Sequence, residues 1–199
     1  MVLACGGAVY GVALNFRAEL ESLGEKLHGD PYKKPPVAPV LYLRPRNTWS
    51  VNGAVIHLPA DTKQLKMAGT LGVLIGRPHQ VAGYVAINDV SVPHASYYRP
   101  AIRQRCRDGF CVIGSEVTDR EPREIRISVN GELRCRASID DLVRPIDRLI
   151  ADISEFMTLQ PGDIVLIGEP PDAPLAQAGD RVRVEVDGLA AIENEVVPE

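Results

Sequence analysis

The sequence predicts an α+β fold in which strands dominate. Three observations carry this. Short apolar runs are joined by Asn-Gly and Asp-Gly pairs, which favour tight hairpin turns of the primed types. Seventeen Gly and sixteen Pro interrupt the chain too often for long helices. Apolar residues at helical spacing are confined to a short early stretch and one later segment. A hydrophobic content of 45% and a length of 199 residues suit one globular domain, 1–199, with a core of its own.

Residues 1–14 are apolar but carry no basic leader, and Gly6-Gly7 divides them into two short strands, the second over 8–14. Asn15 is placed to cap a helix over 16–29, with Leu20, Leu23 and Leu27 on one face and Gly29-Asp30-Pro31 as its stop. A connector with Pro31, Pro35, Pro36 and Pro39 leads into a strand over 40–47. Asn52-Gly53 predicts a hairpin over 50–55, and Asn130-Gly131 a second over 125–135 with Ile125, Ile127 and Val129 on one face. From Ser138 to Met157, apolar residues from Ile139 to Phe156 recur at helical spacing. Ser138 with Asp141 resembles a capping box, and Pro145 should kink the helix or sit in its first turns. A turn at 159–163, a buried strand over 163–168 and a hairpin turning at Asp187-Gly188 complete the chain.

Composition excludes some functions. A net charge of -4 argues against general nucleic-acid binding. No apolar run reaches the ~20 residues needed to span a bilayer, so the expected location is the cytoplasm. Cys5, Cys106, Cys111 and Cys135 form no C-x-x-C pair and are read as reduced thiols.

The stretch most suggestive of chemistry is 83–114. Asp89 ends an apolar run, and Arg99, Arg103, Arg105 and Arg107 follow. One hard oxygen donor for a divalent ion beside several guanidinium groups suits a small substrate with two carboxylates. The same arginines could instead pair with acids across a subunit interface, and Arg107 with Asp108. Asp89 could likewise be a structural acid bonding a turn.

Leu14-Asn15-Phe16, Lys34-Pro35-Pro36, Leu43-Arg44-Pro45, 72–76 (GVLIG), Asn88-Asp89-Val90-Ser91, 129–133 (VNGEL) and 158–163 (TLQPGD) together resemble the fumarylacetoacetate hydrolase family. Residues 97–102 (YYRPAI) and 106–111 (CRDGFC) resemble its isomerase/decarboxylase branch in 4-hydroxyphenylacetate (homoprotocatechuate) degradation, first-half or first-subunit type. The resemblance implies a mixed β-roll or sandwich over 37–199 and a strand with a lid-like helix over 1–36. It implies a homodimer, or a heterodimer with a paralogous subunit, and a small dicarboxylate substrate. The branch decarboxylates 5-oxopent-3-ene-1,2,5-tricarboxylate and isomerises 2-hydroxyhepta-2,4-diene-1,7-dioate.

The resemblance also implies Mg2+ or Mn2+ held by a Glu-x-Glu pair and the Asp of the Asn-Asp motif. Alignment on 71–76 puts Ala68 and Thr70 at the Glu positions, leaving Asp89 as a remnant ligand. Each lost carboxylate removes about 4 kcal/mol per unit charge pair at ~4 Å and an effective dielectric near 20, so metal binding by this chain should be weak or absent. His94 is either a substitute ligand or an ordinary surface or core-edge histidine. The lid's His and Glu become Glu19 and Ser22; Glu19 is a base if buried and a solvated side chain if not. The family Lys becomes Arg105, leaving Glu19 and Arg105 as catalytic candidates and Arg99, Arg103 and Arg105 for substrate carboxylates. Glu169 replaces a Thr in a carboxylate-binding loop, where it should repel an anion. About ten residues are missing between Gly76 and Gly83. These departures leave three readings: a subunit of the isomerase/decarboxylase, an independent enzyme on a small 2-oxo dicarboxylic acid, or a non-catalytic scaffold.

Overall fold

The computed structural model describes residues 6–94 and 96–199. The strand expected before Gly6, and Cys5, lie outside them. The elements in order are β1 (Val9–Ala13), α1 (Arg17–Leu23), β2 (Val40–Arg44), β3 (Trp49–Val51), β4 (Ile56–Leu58), β5 (Leu65–Arg77), β6 (Gln80–Ser91), α2 (Ile102–Arg105), β7 (Cys111–Ile113), β8 (Glu124–Val129), β9 (Glu132–Ser138), α3 (Ile146–Ser154), β10 (Ile164–Leu166), β11 (Leu175–Ala176), β12 (Arg181–Val186) and β13 (Ile192–Pro198). This is the strand-rich α+β architecture that the turn and alternation signals predict.

Two sheets share the core. The larger runs β2-β1-β10-β5-β6-β7-β3, with β11 also on β5; the smaller runs β4-β13-β12-β8-β9. Strict alternation decides what each face buries. On β5, Met67, Leu71, Val73 and Ile75 meet Ile125, Ile127 and Val129 of β8 and Val182, Val184 and Val186 of β12 in one continuous core. On the opposite face Val9, Val85, Ile87, Cys111, Ile113, Ile164 and Leu166 form a smaller cluster. The β5–β6 hairpin is the spine, paired from Lys66↔Ser91 to Arg77↔Gln80 with bulges around Ile75. Its turn is tight: Arg77 and Gln80 pair directly, and His79 takes φ 62°. The segment missing between Gly76 and Gly83 is thus bridged without a helix.

The 130–131 hairpin forms as expected, with Asn130 and Gly131 at φ 53° and 82°. Five expectations need correction. Asn52-Gly53 does make a turn, closed by Ala54 N donating to Val51 O (3.1 Å). Its arms, however, pair with β7 and β13 in different sheets; strands of three residues gain more from those partners than from each other. The helix expected over 138–157 is broken. Residues 139–141 make one 3-10 turn, Leu142 is extended (ψ 139°), and α3 begins only after Pro145. Pro145 biases its predecessor away from the helical region, while Val143 N donates to Asn15 O (2.7 Å) and Leu142 bridges to Phe16. Phe156, expected on the apolar face, is 64% exposed. Ser138 accepts from Asp140 N instead of forming a capping box. Nor does Asn15 cap α1. Its side chain donates to Ile167 O (2.7 Å) and Arg144 O (3.2 Å) and accepts from Arg144 N (3.0 Å), tying β1 to the segment after β10.

Among the described residues, Cys106, Cys111 and Cys135 form no disulfide.

Candidate functional site

On β5, Lys66, Ala68 and Thr70 alternate onto the face away from the main core, and Ala68 sits opposite Asp89 in the β5–β6 register. On β2, Tyr42 and Arg44 share a face. Both reach Asp89: Tyr42 Oη donates to Oδ2 at 2.5 Å, and the Arg44 guanidinium pairs directly with Oδ1. Gly11 makes room for this. It lies opposite Tyr42 across β1–β2, and a Cβ there would meet the ring 2.0 Å away.

Arg105, at the end of α2, extends the network. Its Nη1 lies 3.4 Å from Asp89 Oδ2 and pairs directly with Glu169 Oε1, while its guanidinium stands 4.1 Å from the Tyr42 ring centroid. Arg44 fixes the helix end by donating to the Arg105 and Val90 carbonyls. Lys66 Nζ completes the chain at 2.6 Å from Glu169 Oε2. Asp89, Arg44, Arg105 and Glu169 are all buried. Burial would raise the Glu169 carboxyl, but Arg105 and Lys66 outweigh it and hold the group at about 2. Burial raises the Tyr42 phenol well above its usual range, and Asp89 adds to the effect. The cluster therefore joins three cations to two carboxylates.

Glu19 approaches from the lid-like helix. It is 5% exposed, accepts from Leu14 N (2.9 Å) and takes the Tyr97 hydroxyl (2.9 Å). Tyr97 is itself held by its N–H donating to the Tyr32 hydroxyl (2.8 Å). Burial, then the charge of Glu169, raises the Glu19 carboxyl to about 7. Ser22 is exposed and only donates to the Glu19 carbonyl (2.7 Å). The His94 ring stacks at a tilt on Tyr97, with Nδ1 3.1 Å from the Val92 carbonyl, and burial lowers its pKa.

The structure thus brings Glu19, Asp89 and Arg105 into one region and leaves Arg99 and Arg103 at the surface. Arg103 and Arg107 both pair with Asp61 at 2.8 Å rather than with the cluster. Asp108 accepts from Asn47. Glu169 does not stand as a bare negative charge, because Arg105 and Lys66 neutralise it. Sequence reasoning missed Lys66, Tyr42, Arg44 and Tyr97 in the site. Arg44 and Tyr97 lie in the motifs that carry the family resemblance, and Lys66 is two residues before Ala68 on the same strand face.

The residues present do not fit a divalent ion. Ala68 has no donor atom. Thr70 spends its hydroxyl on the Gly168 carbonyl (2.6 Å), and both Asp89 oxygens face guanidinium groups. Among the described residues no three or more His, Cys, Asp or Glu side chains are grouped to hold a metal. A hard cation needs several oxygen ligands.

The family profile described as Fumarylacetoacetate (FAA) hydrolase C-terminal matches residues 8–197. The 4-hydroxyphenylacetate degradation bifunctional isomerase/decarboxylase of Escherichia coli is 39% identical over 97% of this chain, which spans 48% of that protein. The chain therefore spans about half the length of these curated relatives. Among solved structures, 5-carboxymethyl-2-hydroxymuconate delta-isomerase from Mycobacterium smegmatis superposes with a TM-score of 0.82 at 30% identity, covering 96% of this chain and 77% of that one. Fumarylpyruvate hydrolase from Pseudomonas aeruginosa, solved with Mn2+ and pyruvate, shares the fold with a TM-score of 0.78 at 23% identity, over 97% of this chain and 90% of that one. By sequence along nearly its whole length and by fold, this chain belongs to the fumarylacetoacetate hydrolase family.

Proposed function

We propose that this chain is one half of an isomerase/decarboxylase of the 4-hydroxyphenylacetate-degradation type, working beside a second domain or subunit of the same family that carries an intact Glu-x-Glu pair. The substrates are 2-hydroxyhepta-2,4-diene-1,7-dioate and 5-oxopent-3-ene-1,2,5-tricarboxylate. The supporting observation is the 39% identity to a bifunctional relative of twice the length, in a chain whose own donors do not suit a metal. Residues 1–199 act as one unit with the helix that carries Glu19 as its lid, paired with a paralogous copy in the cytoplasm. Among the described residues no helix is long and apolar enough to cross a membrane.

Both reactions develop an enolate on a 2-oxo acid and move a proton between carbons. The chain's own contribution is electrostatic and acid–base. Lys66 and Arg105 supply fixed positive charge for a carboxylate, and Glu19, held by Tyr97, is the group able to accept or return a proton near neutral pH. That Glu19 is buried with its pKa near 7 also favours a second reading, an independent enzyme on a small 2-oxo dicarboxylic acid.

The test compares the pure chain with the chain mixed with a paralogue that keeps the Glu-x-Glu pair, following consumption of 2-hydroxyhepta-2,4-diene-1,7-dioate by its ultraviolet absorbance. The mixture should turn over at least about 100-fold faster than this chain alone, the scale of one positioned acid–base or electrostatic contribution. Equal turnover by the chain alone, lost in Glu19→Gln, replaces the first reading with the second.

A further inference from the structure

Three cations face two carboxylates in the cluster, and the imbalance has an address. Arg105 Nη2 is buried and has no hydrogen-bond partner, although Nη1 serves both Asp89 and Glu169. Lys66, its side chain 21% exposed, is the most open of the cluster's charged members and contacts Glu169. A buried cation with an unused donor is unfavourable until an anion meets it. A divalent cation is the wrong partner for such a site. Both oxygens of Asp89 already face guanidinium groups, and an incoming metal would sit against like charge. The strand face that presents Lys66 also lacks the two carboxylates that would compensate a metal.

We propose that this charged cluster takes the carboxylate of a 2-oxo acid directly on Arg105 Nη2 and Lys66 Nζ, entering from the partly exposed Lys66 side, with no divalent ion between protein and ligand. The guanidinium bridging Asp89 and Glu169 provides in covalent form the positive charge that a metal would otherwise bring. The ligand class rests on the function proposed above; the absence of a metal requirement rests on this chain's own side chains. Because Arg105 offers a planar fork and Lys66 a point charge, a planar carboxylate is gripped from one edge and one end.

Titration calorimetry with 2-oxoglutarate as the probe, first in EDTA and then in excess Mn2+, tests this directly, with Mn2+ binding by the full chain read separately from its electron paramagnetic resonance spectrum. The expected result is one-to-one binding in EDTA that weakens with KCl, changes less than threefold on adding Mn2+, and accompanies no stoichiometric binding of Mn2+ by the chain. Lys66→Gln should weaken 2-oxoglutarate at least tenfold while the far-ultraviolet circular dichroism remains that of the folded chain, even though losing the contact to Glu169 lowers the melting temperature. If that variant does not fold, the salt dependence and the metal comparison on the unaltered chain decide the matter. Binding that appears only with Mn2+, stoichiometric uptake of Mn2+ that is lost in Asp89→Asn, or no 2-oxoglutarate binding at all overturns the proposal. Metal-independent binding without turnover in the mixed-subunit assay would instead remove the functional reading and leave this one standing.

Discussion

Glu19 carries a carboxyl into a place where its charged form is poorly solvated, and the consequence is a stability that depends on pH. Its pKa in the folded chain, about 7, lies above the ordinary 4.5. The folded state therefore binds more protons than the unfolded state between those values. This stabilisation is complete below pH 4.5 and is lost as pH rises through 7. At 1.36 kcal/mol per unit the loss is on the order of 3 kcal/mol. Glu169 has the opposite sign. Its folded pKa is depressed by Arg105 and Lys66, so its stabilisation is present above 4.5 and is lost as pH falls toward 2. Urea unfolding measured from pH 4.5 to 7.5 should show stability falling in the native chain and staying nearly level in Glu19→Gln. A variant that kept the native slope would mean that Glu19 titrates as a solvated carboxyl. At this scale the sequence exposed what was absent, Ala68 and Thr70, more readily than what was gained. The ion pairs of Asp89 join residues 45 and 16 positions away in the chain, and spacing does not reveal such partners.

Among elements, the β1–β2 pair shows how a backbone choice shapes chemistry. Gly11 stands where any side chain would enter the Tyr42 ring. Gly11→Ala should push Tyr42 off Asp89 and cost about 1–3 kcal/mol, the usual range for overpacking; a lowered urea midpoint and a perturbed tyrosine absorbance would register both effects, and an unchanged midpoint would contradict them. The two Asn-Gly turns show how far local signals reach. Each forms its turn, because the dipeptide accepts positive φ cheaply. Only at 130–131 are the arms long and alternating enough to pair with each other. At 52–53 the short arms are claimed by strands distant in sequence. The segment 138–157 departs from a continuous helix for a related reason: helical spacing of apolar residues is necessary for a buried helix, but Pro145 and the pairing of 142–143 with Asn15 and Phe16 select an extended stretch before it.

For the molecule as a whole, the core lies between two sheets whose inner faces alternate with outer ones. Ile127 and Leu133 sit on the same hairpin, one fully buried and the other 55% exposed. Ile127→Ala should cost about 2–5 kcal/mol, whereas Leu133→Ala should stay within about 0.5 kcal/mol. Similar losses in urea unfolding would show that the inner and outer faces have been misassigned.

By itself the sequence determined the strand-rich fold, the family, the working hairpin turns and the vacated carboxylate positions, because turn chemistry, alternation and motif order act over a few residues. Only the tertiary structure decided that Lys66, Arg44 and Tyr42 converge on Asp89 and Glu169, and that Glu19 is buried against Tyr97. Charges meet across sheets and loops through folded distances, and their energies depend on a burial that no local pattern of residues specifies.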